Sequence, residues 1–222
     1  MHSLLRIIGP CCMGEFMKHI IFDWSGTVVD DLPPVIEATN AVLQYAGRPV
    51  MDRETFRRRF RLPYTEFYAE ETPHVPLEEL EVEFRRAFAA SEAPVTILPG
   101  ARDFLHQAQQ ENRRMFVLSS APALAVVAQA RELGIHHYFE DFHAGIVDKK
   151  AYIPQLLAKH SLAPEELLYI GDMVHDVETA RHAGIFSVAV LTGYDFPEVL
   201  ERSRPDLMLP DLEHLGRWLV NM

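Results

Sequence analysis

The chain has 222 residues, 48% hydrophobic and 24% charged, which is enough apolar surface for a packed core and argues against disorder. Its formal charge of -11 argues against duplex nucleic acid or an anionic membrane as partner, because both reward clustered Lys and Arg. The two cysteines, Cys11 and Cys12, are adjacent and cannot close a loop, and no apolar run approaches the roughly 18 residues of a membrane span, so a cytoplasmic protein is expected. Residues 1–16 carry no pattern that continues into the first apolar run, and they read as a leader or tag dispensable for folding.

Five short apolar runs stand out: His19 to Phe22, Met115 to Leu118, Phe142 to Ala144, Leu167 to Ile170 and Phe186 to Val190. Continuous apolar runs mark strands buried on both faces, and the last four alternate with amphipathic helical stretches, so the expected fold is α/β with a doubly wound parallel sheet. Helices are expected over Ala101 to Asn112 after Pro99-Gly100, over Pro122 to Leu133 before Gly134, and over Asp176 to His182 before Gly184. Between the first strand and Leu98 the pattern changes. Residues 33–92 show no buried strand but helical stretches at Pro33 to Ala46, Asp52 to Phe60, Tyr64 to Glu70 and Leu77 to Ser91. Bounded by Pro33-Pro34 and Pro94, the block reads as a helical cap (32–94) inserted into a core of 17–31 plus 95–222. The alternative is a plain helical extension of that core.

In open α/β sheets ligands bind beyond the carboxyl ends of the strands, so the residues just after each apolar run are the ones to inspect. The first run is followed by Asp23-Trp24-Ser25-Gly26-Thr27, the second by Ser119-Ser120, and the fourth by Gly171-Asp172-Met173-Val174-His175-Asp176; Lys149-Lys150 precedes the helix at Ala151. Two carboxylate sites, a hydroxyl and a lysine would then converge on one edge. Mg²⁺ takes hard oxygen ligands, which Asp23, Asp172 and a backbone carbonyl at Ser25 can supply. A carboxylate can attack a phosphoryl group only where a cation offsets the repulsion between anions, a task that suits Lys149, with Ser119 as hydroxyl donor. Gly26 permits a sharp turn, after which the N–H groups of Trp24 and Ser25 can point at phosphate oxygens, and Asp176 can orient Lys149 or a metal-bound water. Each piece alone also fits a turn, a helix cap or a solvated surface residue; the joint arrangement is what points to chemistry.

These segments resemble the four motifs of the haloacid dehalogenase superfamily: Asp23 to Thr27 as the first, Ser119 the second, Lys149 the third, and Gly171-Asp172 through Asp176 the fourth. The inserted helices are similar to the type-one cap of its phosphoglycolate phosphatase-like members. The resemblance implies a Mg²⁺-dependent phosphatase that forms an aspartyl-phosphate at Asp23 on a small phosphorylated metabolite, as a monomer or homodimer. It implies metal binding by Asp23, Ser25 and Asp172, substrate binding by Trp24, Ser119, Ser120 and Lys149, and catalysis by Asp23, Ser25, Ser119, Lys149 and Asp176. Lys150 competes with Lys149, but a helix starting at Lys149 turns Ile153 and Leu156 inward and leaves Lys150 outside.

One position departs from the pattern. Phosphatases of the family carry an acid/base aspartate two residues after the nucleophile, where this chain has Ser25, and losing such a group typically costs about 10² to 10⁴ in rate. Asp30, Asp31 and His175 are the candidates to replace it, and leaving groups that need no proton would suffer least. The start Asp-Trp-Ser-Gly-Thr is also close to that of phosphonoacetaldehyde hydrolases, yet no lysine lies between Lys18 and Lys149 to form their imine. A weakened enzyme that mainly binds a phosphorylated metabolite is the remaining alternative. Arg57, Arg58, Arg59 and Arg61 could reach an anionic substrate or form a solvated helix face. The eleven histidines show no metal-ligand spacing, and no zinc is expected.

Overall fold

The structure is a computed structural model that describes residues 17–221. The expected leader, residues 1–16, lies outside the described residues. Six parallel strands form one sheet in the order β5-β4-β1-β6-β7-β8: β1 His19–Phe22, β4 Arg114–Leu118, β5 Asp141–His143, β6 Leu167–Gly171, β7 Phe186–Val190 and β8 Leu207–Leu209. The five apolar runs all become strands. The sixth, β8, is too short and too exposed to give a run of its own.

Helices cover both faces: α5 Ala101–Gln110, α6 Ala123–Glu132, α7 Lys149–His160, α8 Val174–Ala183, α9 Pro197–Ser203 and α10 Leu212–Val220. One apolar layer, built from Ile20, Phe22, Met115, Val117, Leu168 and Ile170, packs against α5, α6 and α10. The alternate residues, Ile21, Phe116, Leu118 and Tyr169, pack against Ile153 and Leu156 of α7, as the stripe starting at Lys149 requires. The central strand β1 has Phe22 opposite both Val117 and Ile170, so β1, β4 and β6 end nearly flush. After β1 the chain builds to one side through β4 and β5, then crosses to β6 on the other. That reversal leaves a crevice at the carboxyl ends of β1, β4 and β6.

Between β1 and β4 a two-stranded antiparallel ribbon, β2 Val29–Asp30 with β3 Thr96–Ile97, forms the neck of the helical block. The sequence pattern shows no sign of these two-residue strands. The block itself holds α1 Leu32–Tyr45, α2 Arg53–Arg59, α3 Tyr64–Glu71 and α4 Leu77–Ala90, with α1 packed along α4. Its own apolar cluster of Leu32, Val42, Leu43, Phe56, Phe67 and Leu80 is separate from the sheet clusters and takes in Met173 and Tyr194, on the loops after β6 and β7. Among the described residues no helix is long and apolar enough to cross a membrane.

Candidate active site

Register brings the chemistry together. Asp23 directly follows β1 and its N–H donates to the Ile170 carbonyl of β6; Ser119 follows β4, and Asp172 follows β6. Lys149 opens α7 completely buried, with Nζ donating to Asp23 Oδ1 at 2.5 Å and to Asp176 Oδ1 at 2.7 Å. Lys150 pairs instead with Glu178 at the surface, so of the two lysines Lys149 is the one among the carboxylates. Asp176, in the first turn of α8, uses its other oxygen to accept from the Met173 N–H at 3.1 Å. That bond fixes the carboxylate, which in turn fixes Lys149. Asp172 accepts from the Thr27 hydroxyl at 3.0 Å and from the Tyr194 N–H at 2.7 Å.

Two glycines make room for Asp172. A Cβ on Gly193 would lie 1.9 Å from Asp172 Oδ2, and one on Gly26, whose φ is +75°, would lie 2.5 Å from the same atom. Carboxylates of Asp23, Asp172 and Asp176 offer oxygens all within 4.8 Å of one another, and each residue is at most 5% exposed. Three buried carboxylates thus face one ammonium, a deficit of positive charge. Burial pushes the Asp23 carboxyl up to about 7 against the pull of Lys149, with Asp176 adding to the rise. Burial, then Asp23 and Asp176, holds Asp172 well above the usual carboxylate range. Burial works against the Lys149 ammonium, but Asp176 and Asp23 more than offset it and raise its pKa. An all-oxygen donor set short of positive charge fits a hard divalent cation such as Mg²⁺.

Several expected contacts fall elsewhere. The Trp24 side chain is fully buried in the core, edge-on to Phe139 and Phe142 with Nε1 donating to Gln129 Oε1, so only its backbone is left to meet a ligand. The Ser120 hydroxyl donates to the Ile146 carbonyl at 2.9 Å, which spends the proton it would offer a substrate. Ser119 is buried, and its Oγ accepts from the Ala121 N–H, leaving its own proton unspent. The four arginines find partners within the protein. Arg57 donates to the Tyr194 and Asp195 carbonyls and stacks over Phe196, Arg58 pairs with Glu54, Arg59 with Glu71, and Arg61 with Glu70. Each of the four guanidiniums thus has a partner within the protein. Arg57 is instead a clamp between the helical block and the loop that holds Asp172, a contact that local spacing gave no hint of.

The sequence profile of the family described as "Haloacid dehalogenase-like hydrolase" matches residues 20–190. The chain belongs to the haloacid dehalogenase-like hydrolase family. A phosphoglycolate phosphatase of Synechococcus elongatus is 28% identical over 197 residues, covering 87% of this chain and 92% of that protein. Phosphoglycolate phosphatase 1 of Pseudomonas aeruginosa is 27% identical over 210 residues, covering 88% and 77%. Among solved structures, a haloacid dehalogenase-like family protein of Streptococcus pneumoniae superposes with a TM-score of 0.79 at 23% identity over 92% of this chain and 99% of that one. CbbY of Rhodobacter sphaeroides, solved in complex with phosphate, gives 0.77 at 21% identity over 92% and 99%. At these identities the superpositions establish the fold.

Within this haloacid dehalogenase-like frame, the departure at position 25 has a structural counterpart. The Ser25 hydroxyl donates to Asp31 Oδ2 at 2.6 Å, and the Tyr194 hydroxyl donates to Asp31 Oδ1 at 3.0 Å. Asp31 is buried, and burial raises its carboxyl to about 6 against these two hydrogen bonds. Asp30 accepts from the Leu32 N–H at the start of α1 and does not reach Ser25. His175 is buried with no hydrogen-bond partner for Nε2 among the described residues, and burial lowers its pKa. Of the three replacement candidates, Asp31 alone is joined to position 25.

Proposed function

We propose that this hydrolase removes phosphate from a small phosphorylated metabolite through a phosphorylated Asp23, with residues 32–94 acting as a cap over the site. The observation that carries the reading is the buried cluster of Asp23, Asp172 and Asp176, two of whose carboxylates, Asp23 and Asp176, hold the Lys149 ammonium. Asp23 Oδ attacks phosphorus, the bond to the leaving oxygen breaks, and water later cleaves the acyl phosphate to free Asp23 and inorganic phosphate. Lys149 balances the charge gathered on the attacking carboxylate and the phosphoryl oxygens, and Asp176 keeps it aimed. The unspent Ser119 proton is available to a phosphoryl oxygen. Asp23, Asp172 and the Ser25 carbonyl would hold Mg²⁺, which when bound supplies the remaining charge neutralisation.

Proton delivery to the leaving group is the weak link, since Ser25 offers a hydroxyl already donated to Asp31 in place of a carboxyl. Substrates whose leaving group needs no proton, such as acyl phosphates, are favoured on that ground. The relatives' name makes phosphoglycolate the first phosphomonoester to try. The cap opens for entry by releasing the Arg57 contacts with Tyr194 and Asp195. The test is release of inorganic phosphate from p-nitrophenyl phosphate, phosphoglycolate and acetyl phosphate with and without Mg²⁺. Turnover that falls to background in Asp23→Asn is expected; equal release from both proteins overturns the reading.

A further inference from the structure

The histidines lack metal-ligand spacing along the chain, yet the fold carries two of them to one carboxylate. The edge strand β5 supplies Asp141 and His143, and the last residue of α7 supplies His160. His143 Nε2 and His160 Nε2 are 3.0 Å apart, and Asp141 Oδ2 lies 3.3 Å from the first and 3.2 Å from the second. The three atoms form a nearly equilateral triangle. Tetrahedral zinc with bonds of about 2.0–2.1 Å places its ligands roughly 3.3 Å from one another, so this triangle has the size of one face of such a site. It is distant from the catalytic carboxylates: Lys149 begins α7 and His160 ends it, about 16 Å along the axis at the usual rise per residue.

The other ring nitrogens give a second, independent indication. His143 Nδ1 is 2.9 Å from the Tyr152 hydroxyl, and His160 Nδ1 faces Glu140 Oε1 at 3.6 Å. With an ion on the two Nε2 atoms in place of the hydrogen bond they now share, these oxygens are the acceptors that an Nδ1 proton needs. Two lone pairs and a carboxylate oxygen then meet at one place, where the Lys159 ammonium, 2.6 Å from Asp141 Oδ2, competes with the ion. The side chains of His143 and His160 are 3% and 10% exposed and that of Asp141 is 31% exposed, so an ion has a route in from solvent.

We propose that Asp141, His143 and His160 bind a divalent transition-metal ion, zinc by donor chemistry, at the sheet edge and apart from the Asp23–Asp172 site. Two imidazoles and one carboxylate suit zinc or cobalt far better than magnesium. The bound ion ties the last turn of α7 to β5, and α7 carries Lys149 at its other end. Lys159 is 60% exposed on a flexible stem and swings out to solvent as the ion enters.

The test is titration of the full chain with Zn²⁺, and with Co²⁺ for its visible absorption, in excess Mg²⁺ to fill the carboxylate site. A Cys11→Ser/Cys12→Ser background removes thiolate ligands. One equivalent with a tetrahedral Co²⁺ spectrum is expected, lost in His143→Gln and in His160→Gln. Tyr152→Phe retains all three ligands and should weaken Zn²⁺ about tenfold or more, the usual cost of a lost outer partner. Lys159→Met removes the competing cation and should tighten binding. Circular dichroism confirms that each variant is folded. Zn²⁺ affinity that is the same in the parent and both histidine variants, or undetectable in all three, overturns the proposal, as does weaker binding in Lys159→Met.

Discussion

The hydrogen bond between Ser25 and Asp31 can be reversed, and the outcome reports whether proton delivery limits this enzyme. Ser25→Asp alone would set two buried carboxyls against each other where Oγ and Oδ2 are now 2.6 Å apart. At about 3 Å and an effective dielectric near 20, the repulsion is roughly 5 kcal/mol, so both cannot ionise and a shared proton is trapped between them. The exchange Ser25→Asp/Asp31→Ser avoids this. It restores a carboxyl at position 25 and leaves a hydroxyl behind it to donate back, preserving the pair with its polarity inverted. The Tyr194 hydroxyl loses its carboxylate acceptor, which costs about 1–3 kcal/mol if no other acceptor takes its place. Against that, one buried carboxyl moves to the face that meets the leaving group, where a general acid typically contributes about 10² to 10⁴. With phosphoglycolate or p-nitrophenyl phosphate, kcat should rise about a hundredfold in the exchange variant and less in Ser25→Asp. With acetyl phosphate, whose leaving group needs no proton, the gain should be small. An exchange variant that melts within a few degrees of the parent yet turns over phosphomonoesters no faster refutes the reasoning.

The carboxylate cluster sets three further outcomes. Lys149→Met leaves Asp23 and Asp176 buried and unpaired, a loss of about 3–5 kcal/mol, so Tm measured by scanning calorimetry should fall by about 6–20 °C; an unchanged Tm would show that the pair is not a net stabiliser. Mg²⁺ at a hundred times its Kd should stabilise the parent by about 2.7 kcal/mol, raising Tm by about 5–10 °C, and the shift should vanish in Asp172→Asn; equal shifts in both would place the ion elsewhere. Gly193→Ala forces its new methyl onto Asp172 Oδ2 and should abolish both turnover and the Mg²⁺ shift, whereas Gly216→Ala meets the flexible end of Gln107 at 3.1 Å and the Phe104 ring at 3.4 Å, far from the carboxylates, and should keep both.

What the sequence reveals here depends on how local each signal is. β1 and β6 are legible because strands buried on both faces need unbroken apolar runs, and the residues after them are legible because ligands gather at strand ends. β8 and the β2–β3 ribbon are too short to bear a period. The role of Arg57 is hidden because the carbonyls it grips lie 137 and 138 residues away, and four arginines within five positions look alike until the fold assigns each a partner. Asp141, His143 and His160 show no ligand spacing because one element is a strand and the other the far end of a helix, joined only by how α7 lies on β5.

Position 25 lies between these cases. The serine is visible as a departure as soon as the resemblance is drawn, but which of Asp30, Asp31 and His175 answers it depends on a turn, and a one-residue shift in that turn would exchange the two aspartates. Gly26, at φ +75°, folds the chain back so that its N–H meets the Val29 carbonyl and Ser25 bridges to Val29. Asp30 is thereby spent on the Leu32 N–H, and Asp31 turns inward to Ser25 and Tyr194. Where the resemblance leads one to expect a carboxyl at position 25, the Asp31 carboxyl stands one hydrogen bond behind Ser25. In the proposed mechanism that displacement keeps the charge in the site while withholding the proton, so a preference among leaving groups would follow from a backbone turn.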